Sequence, residues 1–161
     1  VEELKNSGKL DQISYMMNLD MTNDPKGANS FGRDDMTEFF KAVGHAVQQV
    51  DPNFKNELQN RAGLHSDHQP FMLEGVPIAG LSGHLTPGVL QCYHADCDDF
   101  SLVDKEQLES TVRIASMYLY ALSTAKKLGT SKLSDTATRD FLISQGLKQE
   151  LVIGQEWRWG K

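Results

Sequence analysis

The chain has no apolar run approaching the ~20 residues needed to cross a bilayer, and its mean hydropathy is −0.44, so no membrane partner is expected. It also has no excess of positive charge. Sixteen Lys and Arg stand against 22 Asp and Glu, a formal net charge of −6, and the cations are scattered along the sequence. With no cationic face to neutralise phosphates, nucleic acid is not an expected partner. Cysteine is scarce: Cys92 and Cys97 are the only two. They can pair, ligate a metal or stay reduced, and two cysteines do not decide the redox compartment. Internal repeats and low-complexity stretches are missing as well. The first ten residues, VEELKNSGKL, lack the apolar stretch of a signal peptide. They read as the middle of an amphipathic helix with no initiating Met, so the expectation is that an N-terminal half precedes them and that localisation is not readable from this end.

What is present is the composition of an ordinary globular protein. The 161 residues are 39% apolar and 24% charged, long enough to bury roughly two thirds of the surface of the unfolded chain. The segment ISYMMNLDM, residues 13–21, is nearly all apolar or aromatic, as expected of a central strand covered on both faces. After the polar, Gly-rich TNDPKGANSFG, Asp34 or Asp35 is positioned to cap a helix whose Met36, Phe39, Phe40, Val43 and Val47 recur at helical spacing. GVPIAGLSG reads as a second buried strand with Pro77 near its start. HLTPGVLQCYHADCDDF fits neither period and reads as a long functional loop. Asp104 with Gln107 then opens a long helix whose buried side is expected to be Leu108, Thr111, Ala115, Leu119 and Leu122. Around residue 128 the sequence changes to a connecting character. Residues 1–128 are read as the body and 129–161 as a helical extension packed on it. The extension holds one helix from Asp135 to Gln145, closed by Gly146 and Leu147, with WRWG folding back. Strands alternating with helices predict an α/β fold: three layers, α/β/α, around a mostly parallel or mixed sheet. Only three or so strands can be counted, fewer than such a sheet usually has, which predicts an incomplete domain.

Few residues invite chemistry. Asp20 stands where the first strand ends, and in open α/β sheets ligands collect at the carboxyl ends of strands; the alternative is a carboxylate accepting backbone hydrogen bonds in a turn. His94 lies in Tyr93-His94-Ala95-Asp96-Cys97-Asp98, a loop crowded with groups that ligate a divalent metal or orient an imidazole; the alternative is a surface histidine paired with Asp96 or Asp98. Cys92, His94 and Cys97 could form a zinc knuckle, although three ligands within six residues leave the tetrahedron incomplete. His65, Ser66, Asp67 and His68 suggest a nucleophilic relay, but adjacent side chains point in different directions and cannot line up as one. Glu2 and Glu3 read as a solvated helix face.

Three separated segments resemble the family of bacterial leucyl aminopeptidases and glutamate carboxypeptidases, which are dizinc exopeptidases. They are Asn18-Leu19-Asp20-Met21-Thr22-Asn23; Ser66-Asp67-His68-Gln69-Pro70-Phe71 with Gly75-Val76-Pro77; and Tyr93-His94-Ala95-Asp96-Cys97-Asp98 followed by the helix after Asp104. The resemblance covers residues 12 to about 125 in order and spacing. It implies that Asp20 and His94 each ligate a different zinc, with Ser66, Asp67, His68, Tyr93 and Asp98 lining the pocket or supporting the ligands. It also implies two Zn²⁺ in the complete enzyme, ~3.5 to 4 Å apart and activating a water that a Glu deprotonates. The family's His-x-Asp motif, bridging Asp and Glu-Glu pair have no counterpart in this sequence: no His precedes His45, and Glu2-Glu3 lacks the Gly-rich continuation. No catalytic residue is therefore expected in this chain, the general base being expected upstream. The chain alone is expected to be inactive and to bind little or no zinc. The parent is expected to be secreted or periplasmic, to act on peptide substrates and to be capable of homo-oligomerisation. Two other functions fit the same fold: a non-catalytic binding module, and a glutaminyl-cyclase-like acyltransferase, whose pocket is usually Trp-rich, whereas Trp157 and Trp159 here fall in the tail.

Overall fold

A computed structural model describes residues 1–160. Four short strands form one sheet: β1 (Met16–Asn18), β2 (Gly27–Asn29), β3 (Glu57–Gln59) and β4 (Ile78–Ser82), in the order β1-β4-β2-β3. β1 runs parallel to β4, β2 runs parallel to β3, and the β2–β4 pair is antiparallel, so the sheet is mixed. β4 is the strand buried in the interior, and it starts directly after Pro77, whose missing N–H would break a ladder and whose carbonyl accepts from Met16 N at 3.0 Å.

The expectation of a central strand over residues 13–21 is corrected. Only Met16–Asn18 pair, at the edge of the sheet, and their side chains are half-buried. An apolar run reports that the faces of a strand are covered; it carries no information about whether both hydrogen-bonding edges are occupied. β2 and β3 were not anticipated. β2 hides inside the Gly-rich stretch because close approach, not strand propensity, selects its residues: a Cβ at Gly27 would stand 1.6 Å from the Glu57 carbonyl oxygen.

Helices cover both faces, giving the three layers expected. On one face α2 (Thr37–Val50) and α5 (Lys105–Thr124) pack Phe40, Val47, Ile114 and Tyr118 against Ala28, Ala79 and Leu81. On the other, α3 (Gln69–Leu73), α6 (Asp135–Ser144) and α7 (Lys148–Ile153) bring Met72, Leu142, Leu147 and Leu151 onto Ile78. Successive residues of β4 thus feed alternate cores, as the two-residue period of a strand requires. Two small helices, α1 (Glu2–Asn6) and α4 (Pro87–Cys92), bury nothing. No helix among the described residues is long and apolar enough to cross a membrane.

Several local expectations change. Asp34 and Asp35 do not cap α2: they lie in a 3-10 turn, Asp34–Met36, and their carboxylates are taken by Asn60 and Arg33. Met36 precedes α2 with no side-chain cap. Asp104 does cap α5, its Oδ1 accepting from Gln107 N at 2.9 Å. The buried side of α5, however, is Thr111, Ile114, Ala115, Tyr118 and Leu122, while Leu108 and Leu119 are exposed. Apolar residues occur all around this helix, so the stripe facing the sheet could not be singled out by composition. Tyr118 Oη donates to the Phe40 carbonyl at 3.3 Å, and burial raises the pKa of both Tyr118 and Tyr15. The segment after β4 contains α4 and is not wholly a loop.

In the tail, α6 ends as expected. Gly146 has φ +74°, its N–H reaches the Ile143 carbonyl at 2.9 Å, and Leu147 N reaches the Leu142 carbonyl at 3.0 Å, the paired bonds of a Schellman closure. α7 follows it, so the tail holds two helices where one was expected. The WRWG segment does fold back. Trp157 and Trp159 stand edge to face with centroids 4.8 Å apart, and Asp135 accepts from Trp159 Nε1 and from the Arg158 guanidinium, each at 2.8 Å.

Two outcomes follow from this packing. Phe40→Ala is expected to lower unfolding free energy by about 3–5 kcal/mol, read from urea denaturation. The pKa of Asp135 lies below its ordinary 3.8, first through the hydrogen bond from Arg158 and then through that from Trp159. A depressed carboxylate stabilises the fold above its unfolded pKa and loses that contribution as pH falls through the folded value. Acidification below about pH 3.8 should therefore release the tail, seen as a change in tryptophan fluorescence, and Arg158→Ala should move that change to higher pH.

Candidate functional site

The ladder registers place Asn18 beside Gly80, Gly80 beside Asn29, and Asn29 beside Gln59. Residues paired across a sheet share a face, so three amide side chains and one glycine form a polar row across it. This row is the floor of a cavity of about 400 Å³, whose walls include Asp20, Met21, Phe31, Leu64, Ser66, His68 and Tyr93. Gly80 is required where it stands: a Cβ there would meet Phe31 Cε2 at 2.8 Å, and Phe31 in turn packs on the His68 ring at 4.6 Å between centroids.

One directed chain of hydrogen bonds crosses this wall. His68 is buried, 3% exposed. Its Nε2 lies 2.9 Å from the Gly63 carbonyl oxygen, which can only accept, so Nε2 carries the proton. Its Nδ1 lies 3.2 Å from Asn18 Nδ2 and accepts. The same Asn18 Nδ2 donates to Ser66 Oγ at 2.8 Å, and the Ser66 hydroxyl donates to Asp20 Oδ2 at 2.7 Å. Asp20 Oδ1 takes no hydrogen bond among the described residues. The loop carrying Ser66 and His68 is tied to the tail: Gln69 accepts from His65 N at 2.6 Å and donates to Glu156 at 2.7 Å, and His65 Nε2 contacts Glu150 at 2.6 Å.

His94 lies in a different kind of segment. From Ser82 to Ser110 no residue is buried, so packing does little to hold this stretch. A disulfide joins Cys92 to Cys97 and closes a small ring around Tyr93 and His94. The bond decides among the three states open to these cysteines and overturns the zinc-knuckle alternative, because no free cysteine remains. His94 sits in the left-handed region at φ +58°, a conformation that side chains other than glycine keep only where their surroundings impose it. Its ring packs on Tyr93 at 4.0 Å between centroids, and Tyr93 lines the cavity.

Asp20, Ser66, His68 and Tyr93 therefore share one cavity, with His94 against its rim. Asp20 stands two residues past the end of β1 and is exposed. Asp67 and Asp98 are exposed and do not line the cavity; neither do Trp157 and Trp159, which pack in the tail core. No set of three or more His, Cys, Asp or Glu side chains converges as a metal site among the described residues. Asn18, Asn29, Gln59 and Gly80 were missed in the sequence. Asn18 carries no signal in the sequence, because Asp20 lies past the strand end and the pairing of Asn18 with Gly80 is set by strand register.

Compared with known proteins, residues 2–119 match the model of peptidase family M28, the family of dizinc aminopeptidases and carboxypeptidases. No curated protein matches the chain. The chain belongs to peptidase family M28.

Proposed function

We propose that this member of a zinc peptidase family contributes one wall of an exopeptidase site that hydrolyses terminal peptide bonds, of the aminopeptidase or glutamate carboxypeptidase type. The observation that carries the reading is the position of Asp20: a carboxylate just past a strand end, on the cavity wall, with one oxygen held by Ser66 at 2.7 Å and the other taking no hydrogen bond among the described residues. Asp20 and His94 each supply one ligand to a different zinc. On this reading the remaining ligands and the general base come from other polypeptide, because the family's His-x-Asp motif, bridging Asp and Glu-Glu pair have no counterpart in this sequence. The zinc pair, when bound, supplies an activated water. The residues of this chain orient Asp20 and shape a cavity of about 400 Å³ that receives a substrate residue. In the absence of the other ligands the chain is inactive.

The reading is tested by zinc titration calorimetry together with aminoacyl-anilide and glutamyl-peptide assays on the chain. The expected outcome is weak zinc binding and no turnover, with Asp20→Ala and His94→Ala each weakening the residual zinc affinity by about tenfold or more. Turnover accompanied by two zinc ions per chain would overturn the incompleteness of the site. Zinc binding indifferent to both substitutions would overturn the ligand assignment.

A further inference from the structure

We infer that Asn18 is the positioning residue that commits the Ser66 hydroxyl proton to Asp20. The argument is a count of donors. Gly63 offers only a carbonyl, which fixes the His68 proton on Nε2 and leaves Nδ1 as an acceptor. Nδ1 at 3.2 Å can be satisfied only if Asn18 turns its amide nitrogen, not its oxygen, toward it. That nitrogen has a second hydrogen, and it goes to Ser66 Oγ at 2.8 Å. A hydroxyl that already accepts there has its single proton left to give, and Asp20 Oδ2 at 2.7 Å receives it. Each bond forces the direction of the next, so a backbone carbonyl at one end of the chain determines that the Ser66 hydroxyl gives its proton to Asp20 at the other. Asn18 is the one member that links the histidine half to the serine half. Its importance for catalysis rests on Asp20 being a metal ligand as proposed above; the hydrogen-bond chain itself does not.

The test is nitrogen and proton NMR on the metal-free chain. In the native sequence His68 shows the neutral pattern protonated at Nε2, and the Ser66 hydroxyl proton exchanges slowly with water. Asn18→Leu keeps the branching at Cγ and removes both donors; Ser66 hydroxyl exchange should accelerate at least tenfold. Asn18→Asp places an acceptor-only group opposite Nδ1, so His68 should acquire a proton on Nδ1 while amide shifts remote from the cavity stay native. A residue that merely stabilises β1 would change the melting temperature and leave both signatures alone. Unchanged hydroxyl exchange in Asn18→Leu, or an Nε2-protonated neutral ring persisting in Asn18→Asp, overturns the inference. If Asn18→Leu does not fold, the Asn18→Asp ring pattern decides by itself. Because both signatures are read without metal, a chain whose zinc binding ignores Asp20 would remove the proposed ligand role and leave this result standing.

Discussion

The pairing of β4 with both β1 and β2 is the constraint from which the other parts take their places. Ile78, Ala79 and Leu81 are buried, and because alternate residues face opposite ways, one strand of five residues organises two cores, to which its neighbour β1 adds Met17 on one side and Met16 on the other. Gly80 interrupts that apolar series on the tail-facing side, and the interruption is where the cavity opens. Had the position carried a side chain, Phe31 could not occupy the space above the strand, and the wall formed by Phe31 and His68 would have to move outward.

The elements legible in the sequence were those whose signals are local. The cap at Asp104 and the Gly146-Leu147 closure of α6 are set by a few neighbouring atoms, and short-range chemistry is readable from short strings. β4 was legible because both of its faces are buried and its composition says so. What failed depended on distant partners. The edge position of β1 is decided by which strands lie beside it, and β2 exists because Glu57 approaches Gly27 from 30 residues away. Asp34 has the chemistry of a cap, yet the distant Asn60 takes its carboxylate, a case of context overriding propensity, while Asp35 is held by its near neighbour Arg33.

For the candidate site, residue types were easier to read than connections. Asp20, Ser66, His68 and Tyr93 were picked out from strings, and the structure gathers them around one cavity. The route joining them passes through Asn18, which has no chemical signature of its own and is informative only once strand register is known. The cysteines illustrate the same limit. Spacing alone allowed three states, and only the fold selects the pairing.

The stretch from Ser82 to Ser110 buries nothing, whereas residues 78–81 of β4 beneath it are all buried. Segments with so few apolar contacts open at much lower free energy than the core they are attached to. The cavity is thus bounded by two materials: a rigid side, built from strands and the tail-anchored Ser66 loop, and a compliant side bearing Tyr93 and His94, stiffened only across its own short covalent ring. An incoming molecule would meet a fixed floor and an adjustable rim, and the width of the opening can change without disturbing the register of a single strand.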